Sequence, residues 1–126
     1  MTDAANLLTP IQRAALTLKL EELERATQHE MVIVTVRTLG GEDVASFTRD
    51  LGSSWGVGRK GNDGVVLLVA PREQMVWIAV GKGLEGKLTK EACQKILDDT
   101  MMPRFRAGQL AGGIDAGTDA LAALLR

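Results

Sequence analysis

The stretch VVLLVAPREQMVWIAV, residues 65–80, decides the fold. It contains two short runs, VVLLVA and MVWIAV, that are apolar at every position. Such runs are typical of β-strands that are covered on both faces, in the middle of a sheet. Only residues 71–74 separate the runs, which is enough for a hairpin but too short for a helical crossover. The pattern therefore predicts two adjacent antiparallel strands.

An earlier segment, MVIVTV at residues 31–36, predicts a further strand because it is short and rich in β-branched side chains. A helix predicted at about residues 42–53, with Val44, Phe47 and Leu51 inward, joins this strand to the hairpin. A strand–helix–strand connection normally makes its two strands parallel. We therefore expect a small mixed sheet.

The first helix begins after Thr9, which can cap it, and Gln12 completes a capping box. Its inner face is predicted from apolar spacing, with Leu16, Leu20 and Leu23 at the centre and Ile11, Ala15 and Leu18 widening it.

Two helices are predicted after the hairpin. One covers about residues 89–102 and ends before Pro103, and the other begins near Gly112 or Gly113. The predicted order is α-β-α-β-β-α-α. This order indicates an α/β fold, a three-layer α/β/α sandwich with a small mixed sheet, formed as a single domain over residues 1–126.

Composition narrows the function. Apolar residues make up 45% of the chain and charged residues 25%, and the net charge is −1, so we expect no nucleic-acid partner. The longest apolar run is far too short to span a bilayer, and we expect no membrane contact by this domain itself. Cys93 is the only cysteine and His29 the only histidine, which excludes an internal disulfide and a conventional zinc site.

The stretch VGKGLEGKLT, residues 80–89, resembles two nucleotide motifs. Neither fits. The glycines follow a hairpin strand instead of opening a β-α-β unit, and Leu88 stands where a phosphate loop needs a hydroxyl. The plainer interpretation is that these glycines relieve backbone strain in a tight loop.

The hairpin has a chemical consequence. Because the start of one antiparallel strand lies beside the end of the other, it brings KGNDG next to GKGLEG. Asn62, Asp63 and Glu85 are then expected at one rim of the sheet, with Asp98 farther along the following helix. Carboxylate and amide oxygens suit a hard cation such as calcium or magnesium. An ordinary turn formed by Asn62 and Asp63 is the alternative.

Four stretches, in order along the chain, resemble the TPM domain family, which includes thylakoid lumen phosphatase-like and photosystem II repair proteins. They are DAANLLTP, WGVGRKGNDGVVLLVA, VGKGLEGKLT and ILDDTMMPRFRAGQLAGGIDAG. The resemblance covers essentially the whole chain. It implies an α/β/α sandwich and a divalent-cation site, usually discussed as calcium.

By position, the resemblance places metal ligands at Asn62, Asp63, Glu85 and Asp98. This chain departs from the family pattern at Asn62, where the family has an acidic residue, and at Lys90, where it often has an aspartate. Both changes reduce negative charge near the site and would weaken its cation affinity.

Two functions follow as expectations, and whether the domain is an enzyme stays open. The first is a calcium-binding module for assembly, repair or envelope-associated interactions, with a protein partner or acidic ligand. The second is a weak metal-assisted acid phosphatase acting on phosphate monoesters, in which a phosphate would face Arg59, Lys60, Lys82 or Lys87. The resemblance also implies an extracytoplasmic or membrane-tethered full-length protein.

Overall fold

The computed structural model describes residues 1–58 and 63–126. Four strands, five α-helices, one 3₁₀ turn and one π-helical segment are formed in these two ranges. In chain order they are β1 (Thr2–Asp3), α1 (Pro10–Thr27), β2 (Met31–Thr35), α2 (Val44–Trp55), β3 (Val65–Ala70), β4 (Met75–Val80), the 3₁₀ turn (Lys82–Leu84), α3 (Lys90–Lys95), the π-helical segment (Ile96–Met101), α4 (Met102–Arg106) and α5 (Leu110–Leu125).

The sheet has the order β1-β2-β3-β4. Strands β2 and β3 pair in parallel, and β3 and β4 form the antiparallel hairpin, as the sequence predicts. The expectation that both hairpin strands lie in the middle of the sheet is wrong for β4, which is an edge strand. No described strand follows β4, because the chain turns into helices, and the sheet instead grows beyond β2 through the two-residue β1.

Helices cover both faces of the sheet and confirm the three-layer α/β/α architecture. One face packs against α2, through a cluster that contains Val44, Leu68 and Ala70. The other face packs against α1, α3, the π-helical segment and α5, in the larger core cluster. All six residues of β3 are buried, which explains why its sequence is apolar throughout.

Helix α1 begins with the predicted capping box, in which Thr9 accepts from the Gln12 amide and the Gln12 side chain accepts from the Thr9 amide. The predicted core positions, Leu16, Leu20 and Leu23, are all buried. The predicted widening of this face is wrong: Ile11 is 82% exposed, Leu18 is 63% exposed, and Ala15 is also exposed. Helix α1 therefore packs against the core through a single row of leucines.

The helical path after β4 does not end before Pro103, as the sequence suggested. Helix α3 passes directly into the π-helical segment, where the Met102 amide donates to the Leu97 carbonyl. Pro103 then lies in the first turn of α4. Pro103, which has no N–H to donate, lies just after the change from π-helical to α-helical structure, where the regular hydrogen-bond pattern is already interrupted.

The N-terminal segment is fixed by Asp3, whose side chain is 1% exposed. Its carboxylate accepts hydrogen bonds from the Thr35 hydroxyl at 2.6 Å, from the Leu7 and Leu8 amides at 2.9 Å, and from Arg13 at 3.3 Å. Burial raises the pKa of Asp3, but these hydrogen bonds outweigh that effect and hold the pKa below its usual value. Asp3 thereby joins β1, β2 and the start of α1.

Candidate cation-binding rim

The starts of β2 and β3 and the end of β4 lie at the same rim of the sheet. The Gly81 amide donates to the Gly64 carbonyl at 2.8 Å, and the Val65 amide donates to the Glu30 carbonyl at 2.9 Å. We call this region the glycine rim. Among the described residues it comprises residues 29–30, 56–58, 63–64 and 80–85.

Two glycines allow the backbone to approach itself closely at this rim. Gly58 has φ +65°, and a Cβ placed there would collide with the Gly64 backbone. A Cβ at Gly64 would in turn lie 2.7 Å from the carbonyl carbon of Val57. The Asp63 amide donates to the Gly58 carbonyl at 3.3 Å. These contacts bring the end of α2 against the start of β3 and require glycine at both positions.

Asp63 is held by a partner that sequence reasoning missed. Its Oδ2 lies 2.9 Å from Nδ1 of His29, and both side chains are about three-quarters buried, at 26% and 21% exposed. Glu30 makes a second link, because its Oε1 accepts from the Gly58 amide at 3.0 Å. The parallel pairing predicted for β2 and β3 contained the signal, since the residues before two parallel strands meet at one edge.

Glu85 lies in a cleft of about 510 Å³ between the end of α2, the start of β3 and the end of β4. Gly58 and Gly64 line the same cleft, so the loop before β3 and the loop after β4 share one surface. Two cationic side chains also line it, Arg49 from α2 and Lys82 from the 3₁₀ turn. Sequence reasoning had placed Lys82 near the site but not Arg49.

The four sequence-predicted ligands have different outcomes. Asp63 and Glu85 both belong to the glycine rim, and Asn62 lies outside the described residues. Asp98 is exposed on the π-helical segment and accepts a hydrogen bond from the Gln94 side chain at 3.0 Å. Within residues 1–58 and 63–126, no three His, Cys, Asp or Glu side chains converge closely enough to hold a metal ion. Of the four predicted ligands, two, Asp63 and Glu85, therefore belong to the described rim.

The strain relief predicted for the glycines of VGKGLEGKLT is not required, because none of the three has a left-handed φ. Gly81 has φ −66°, which any residue adopts. Gly86 does not have a left-handed φ, and a Cβ there would meet nothing within 4 Å. The buried residues of this stretch, Leu84 and Leu88, attach it to the main core instead.

Comparison with known proteins decides the family. The model of the TPM domain matches residues 1–124. The chain belongs to the TPM domain family. No curated protein matches the chain. The family resemblance seen in the four sequence stretches is thus confirmed over nearly the whole length of the domain.

Solved structures share this TPM fold. The solution NMR structure of the N-terminal domain of a protein from P. gingivalis is 32% identical, with a TM-score of 0.92 over 98% of this chain and 80% of that one. The N-terminal domain of a protein from Corynebacterium glutamicum is 14% identical, with a TM-score of 0.77 over 99% of this chain and 78% of that one. A protein from the psychrophilic bacterium Bizionia argentinensis is 19% identical, with a TM-score of 0.76 over 94% and 81%.

None of the helices in the described part of this TPM domain is both long and apolar enough to cross a membrane. The expectation of an extracytoplasmic or membrane-tethered full-length protein stays a prediction.

Proposed function

We propose that this TPM domain is a divalent-cation-binding module, with calcium as the expected ion and magnesium as the alternative. The observation that carries the proposal is the 2.8 Å hydrogen bond from the Gly81 amide to the Gly64 carbonyl. Asp63 is the residue before Gly64, in the loop that leads into β3. Glu85 lies four residues after Gly81, in the loop that leaves β4. One ion at the glycine rim would then link two loops that are distant in sequence.

The described donors suit a hard ion better than a soft one. They are carboxylates and backbone carbonyls, and the single histidine already bonds to Asp63. Calcium accepts six to eight oxygen ligands, including amides, carbonyls and water, so about two carboxylates are enough to anchor a weak site. The family resemblance adds Asn62 and Asp98 as predicted ligands, and neither is among the described residues of the rim. Two anchoring carboxylates also agree with the reduced negative charge of this chain relative to the family pattern.

The cation would order the rim for an interaction in assembly, repair or at the cell envelope. Arg49 and Lys82 line the cleft beside Glu85 and are both exposed. Their positive charges favour an acidic ligand or an acidic surface of a protein partner. In this proposal the ion has a structural role, and the cationic side chains make the contact.

Weak acid phosphatase activity is the second candidate, and the same two side chains favour it. Arg49 and Lys82 could stabilise the charge that develops on a phosphate monoester, while a cation held by Asp63 and Glu85 would supply Lewis-acid chemistry. The described chain supplies positive charge and carboxylates to this reaction. The phosphatase reaction requires the same ion as the first candidate function.

The binding proposal is tested by following the melting temperature while calcium is added. An ion that binds only the folded state stabilises it by about 2.7 kcal/mol when its free concentration is about 100 times Kd. The wild type should show this gain, and Asp63→Asn and Glu85→Gln should each lose most of it. Glu42→Gln is the matched control, because Glu42 is exposed beyond the other end of β2. A gain that persists in both rim variants would overturn the proposal.

A second assay separates the two candidates. Hydrolysis of a chromogenic phosphate ester is measured for the wild type, Asp63→Asn and Arg49→Ala, with and without calcium or magnesium. Ion-dependent hydrolysis that falls in both variants would support the phosphatase. Calcium binding without such hydrolysis would support the non-enzymatic module.

A further inference from the structure

We propose that β4 is a docking strand that binds an extended, largely apolar peptide segment of a protein partner by adding it to the sheet. Strand β4 is the edge of the sheet, and its free side opens into a groove of about 610 Å³. The groove lies between α2, which supplies Ala45 and Arg49, and α3, which supplies Lys90, Cys93 and Gln94.

The backbone of β4 determines what can fill this groove. The Gly81 amide bonds to Gly64, and in an antiparallel pair every second residue directs its backbone groups to the same neighbour. The backbone N–H and C=O groups of Ala79 and Trp77 therefore also point toward β3. The N–H and C=O groups of Val76, Ile78 and Val80 therefore point to the free side. In the described chain, none of the backbone hydrogen bonds formed outside helices and strands uses these groups. A second extended backbone is the ligand that satisfies such a row.

The strand also lacks the features that protect sheet edges from pairing. Its sequence, MVWIAV, contains no charge and no proline, and its pairing with β3 runs from Val65↔Val80 to Ala70↔Met75 without a bulge. Natural edge strands are usually blocked by such devices. Met75 is 43% exposed at the start of the strand, so part of this apolar edge faces solvent.

The two walls specify the side chains of the bound segment. Side chains pointing to the α3 wall would meet Leu88, Cys93 and Leu97, which are buried and apolar, so apolar residues fit there. Side chains pointing to the α2 wall would meet Trp77 and Arg49. The ion pair of Arg49 with Asp50 is long, at 4.0 Å, and solvent-exposed, which makes it weak. Glu85 also lines the groove, so one aspartate or glutamate of the partner would match Arg49 only where it points to the α2 wall.

A peptide suits the groove better than a second copy of this chain. Residues of α2 line the groove on one side and residues of α3 line it on the other. A single strand fits between them, whereas a second sheet would bring its own α2 and α3 against these walls.

The test uses a blocked heptapeptide of alternating valine and threonine with one central glutamate, with EDTA present so that the cation site is not involved. Backbone amide exchange is followed by NMR. At saturating peptide, the amides of Val76, Ile78 and Val80 should exchange at least about tenfold more slowly, because each opening must first break the new hydrogen bond. Trp77 and Ala79, which already bond to β3, should change little.

Two variants check the assignment. Val80→Pro removes an outward N–H without removing a β3 bond, and should weaken binding by about tenfold or more, whereas Val80→Ala should weaken it much less. Arg49→Ala should weaken the glutamate peptide but not the glutamine version. Absence of protection at about 1 mM peptide, a weak-binding limit, would overturn the proposal. So would concentration-dependent dimers that protect the same amides without peptide, because the occupant would then be a second copy.

Discussion

Nδ1 of His29 and Oδ2 of Asp63 lie 2.9 Å apart and join the loop before β2 to the loop before β3. The hydrogen bond is partly buried, so it should stabilise the cation-free domain by about 0.5–1.5 kcal/mol. A double-mutant cycle of His29→Ala and Asp63→Ala, followed by urea unfolding, measures this coupling without the other contacts of either residue. If the losses of unfolding free energy in the two single variants simply add in the double variant, the result would contradict the contact.

Asp3 should be a main determinant of acid stability. Its buried carboxylate accepts four hydrogen bonds, and Asp3→Asn leaves donors without an acceptor, so the variant should lose about 2–3 kcal/mol at neutral pH. Because the folded-state pKa of Asp3 is lowered, its stabilising contribution is complete above the unfolded-state pKa of about 3.9 and is lost as the pH falls through the folded value.

Thermal unfolding at several pH values measures this effect. The difference in stability between the wild type and Asp3→Asn should be largest near pH 7 and should narrow below about pH 4. Asp43→Asn is the control, because Asp43 caps α2 by accepting from the Ser46 amide and asparagine is an equally good cap. A constant difference at all pH values would contradict the assigned role of the Asp3 charge.

Two glycines of α5 should respond in opposite directions to the same substitution. A Cβ at Gly117 would lie 2.5 Å from Sδ of the fully buried Met101, whereas a Cβ at Gly112 would meet nothing closer than 3.7 Å. Gly117→Ala should therefore destabilise the domain by about 1–3 kcal/mol through overpacking. Gly112→Ala should stabilise it by up to about 1 kcal/mol, because alanine is the better helix former.

Chemical denaturation of the two alanine variants gives both values directly. Equal effects of the two substitutions would show that α5 does not pack against the π-helical segment in the way described. The comparison thus tests the packing of the π-helical segment, which ends at Met101, against α5 at Gly117.

Much of the fold could be predicted because strong local patterns agree with the tertiary structure. The apolar runs of β3 and β4 are joined by a four-residue turn, which leaves a hairpin as the only connection. The capping box at Thr9 likewise fixes the start of α1. These signals depend only on residues that are close together in the sequence, so the sequence alone is enough to predict them.

Other features depend on contacts that no local pattern records. Strand β1 has only two residues, and it forms because β2 offers a free edge and Asp3 is anchored by Thr35. The apolar composition of β4 suggested a central strand, but the edge position follows from where the later helices pack. Ile11 and Leu18 lie near a helical core face yet remain exposed, since α1 contacts the rest of the domain along a narrower stripe.

The juxtaposition of the two loops at the candidate site could be predicted for the same reason as the hairpin. The hairpin register placed the loops of Asp63 and Glu85 together, because antiparallel pairing fixes which ends are neighbours. His29 was missed as a member of the rim, which it reaches through the parallel β2–β3 pairing. Arg49 was missed as part of the cleft beside Glu85, which it reaches through the packing of α2. Asp98 was assigned as a ligand by the family resemblance, and its role stays a prediction; it is exposed on the π-helical segment beside Gln94.

The most direct measurement of the central claim is a titration with Mn²⁺ followed by NMR. Manganese accepts the same oxygen ligands as calcium and magnesium, and it broadens the signals of nearby amides. If one ion joins the two loops, the amides of Gly64, Gly81 and Glu85 should broaden first, at substoichiometric Mn²⁺, and excess calcium should restore them. Broadening that begins instead at other exposed carboxylates, such as Asp115 and Asp119 beside Lys19, would contradict the claim.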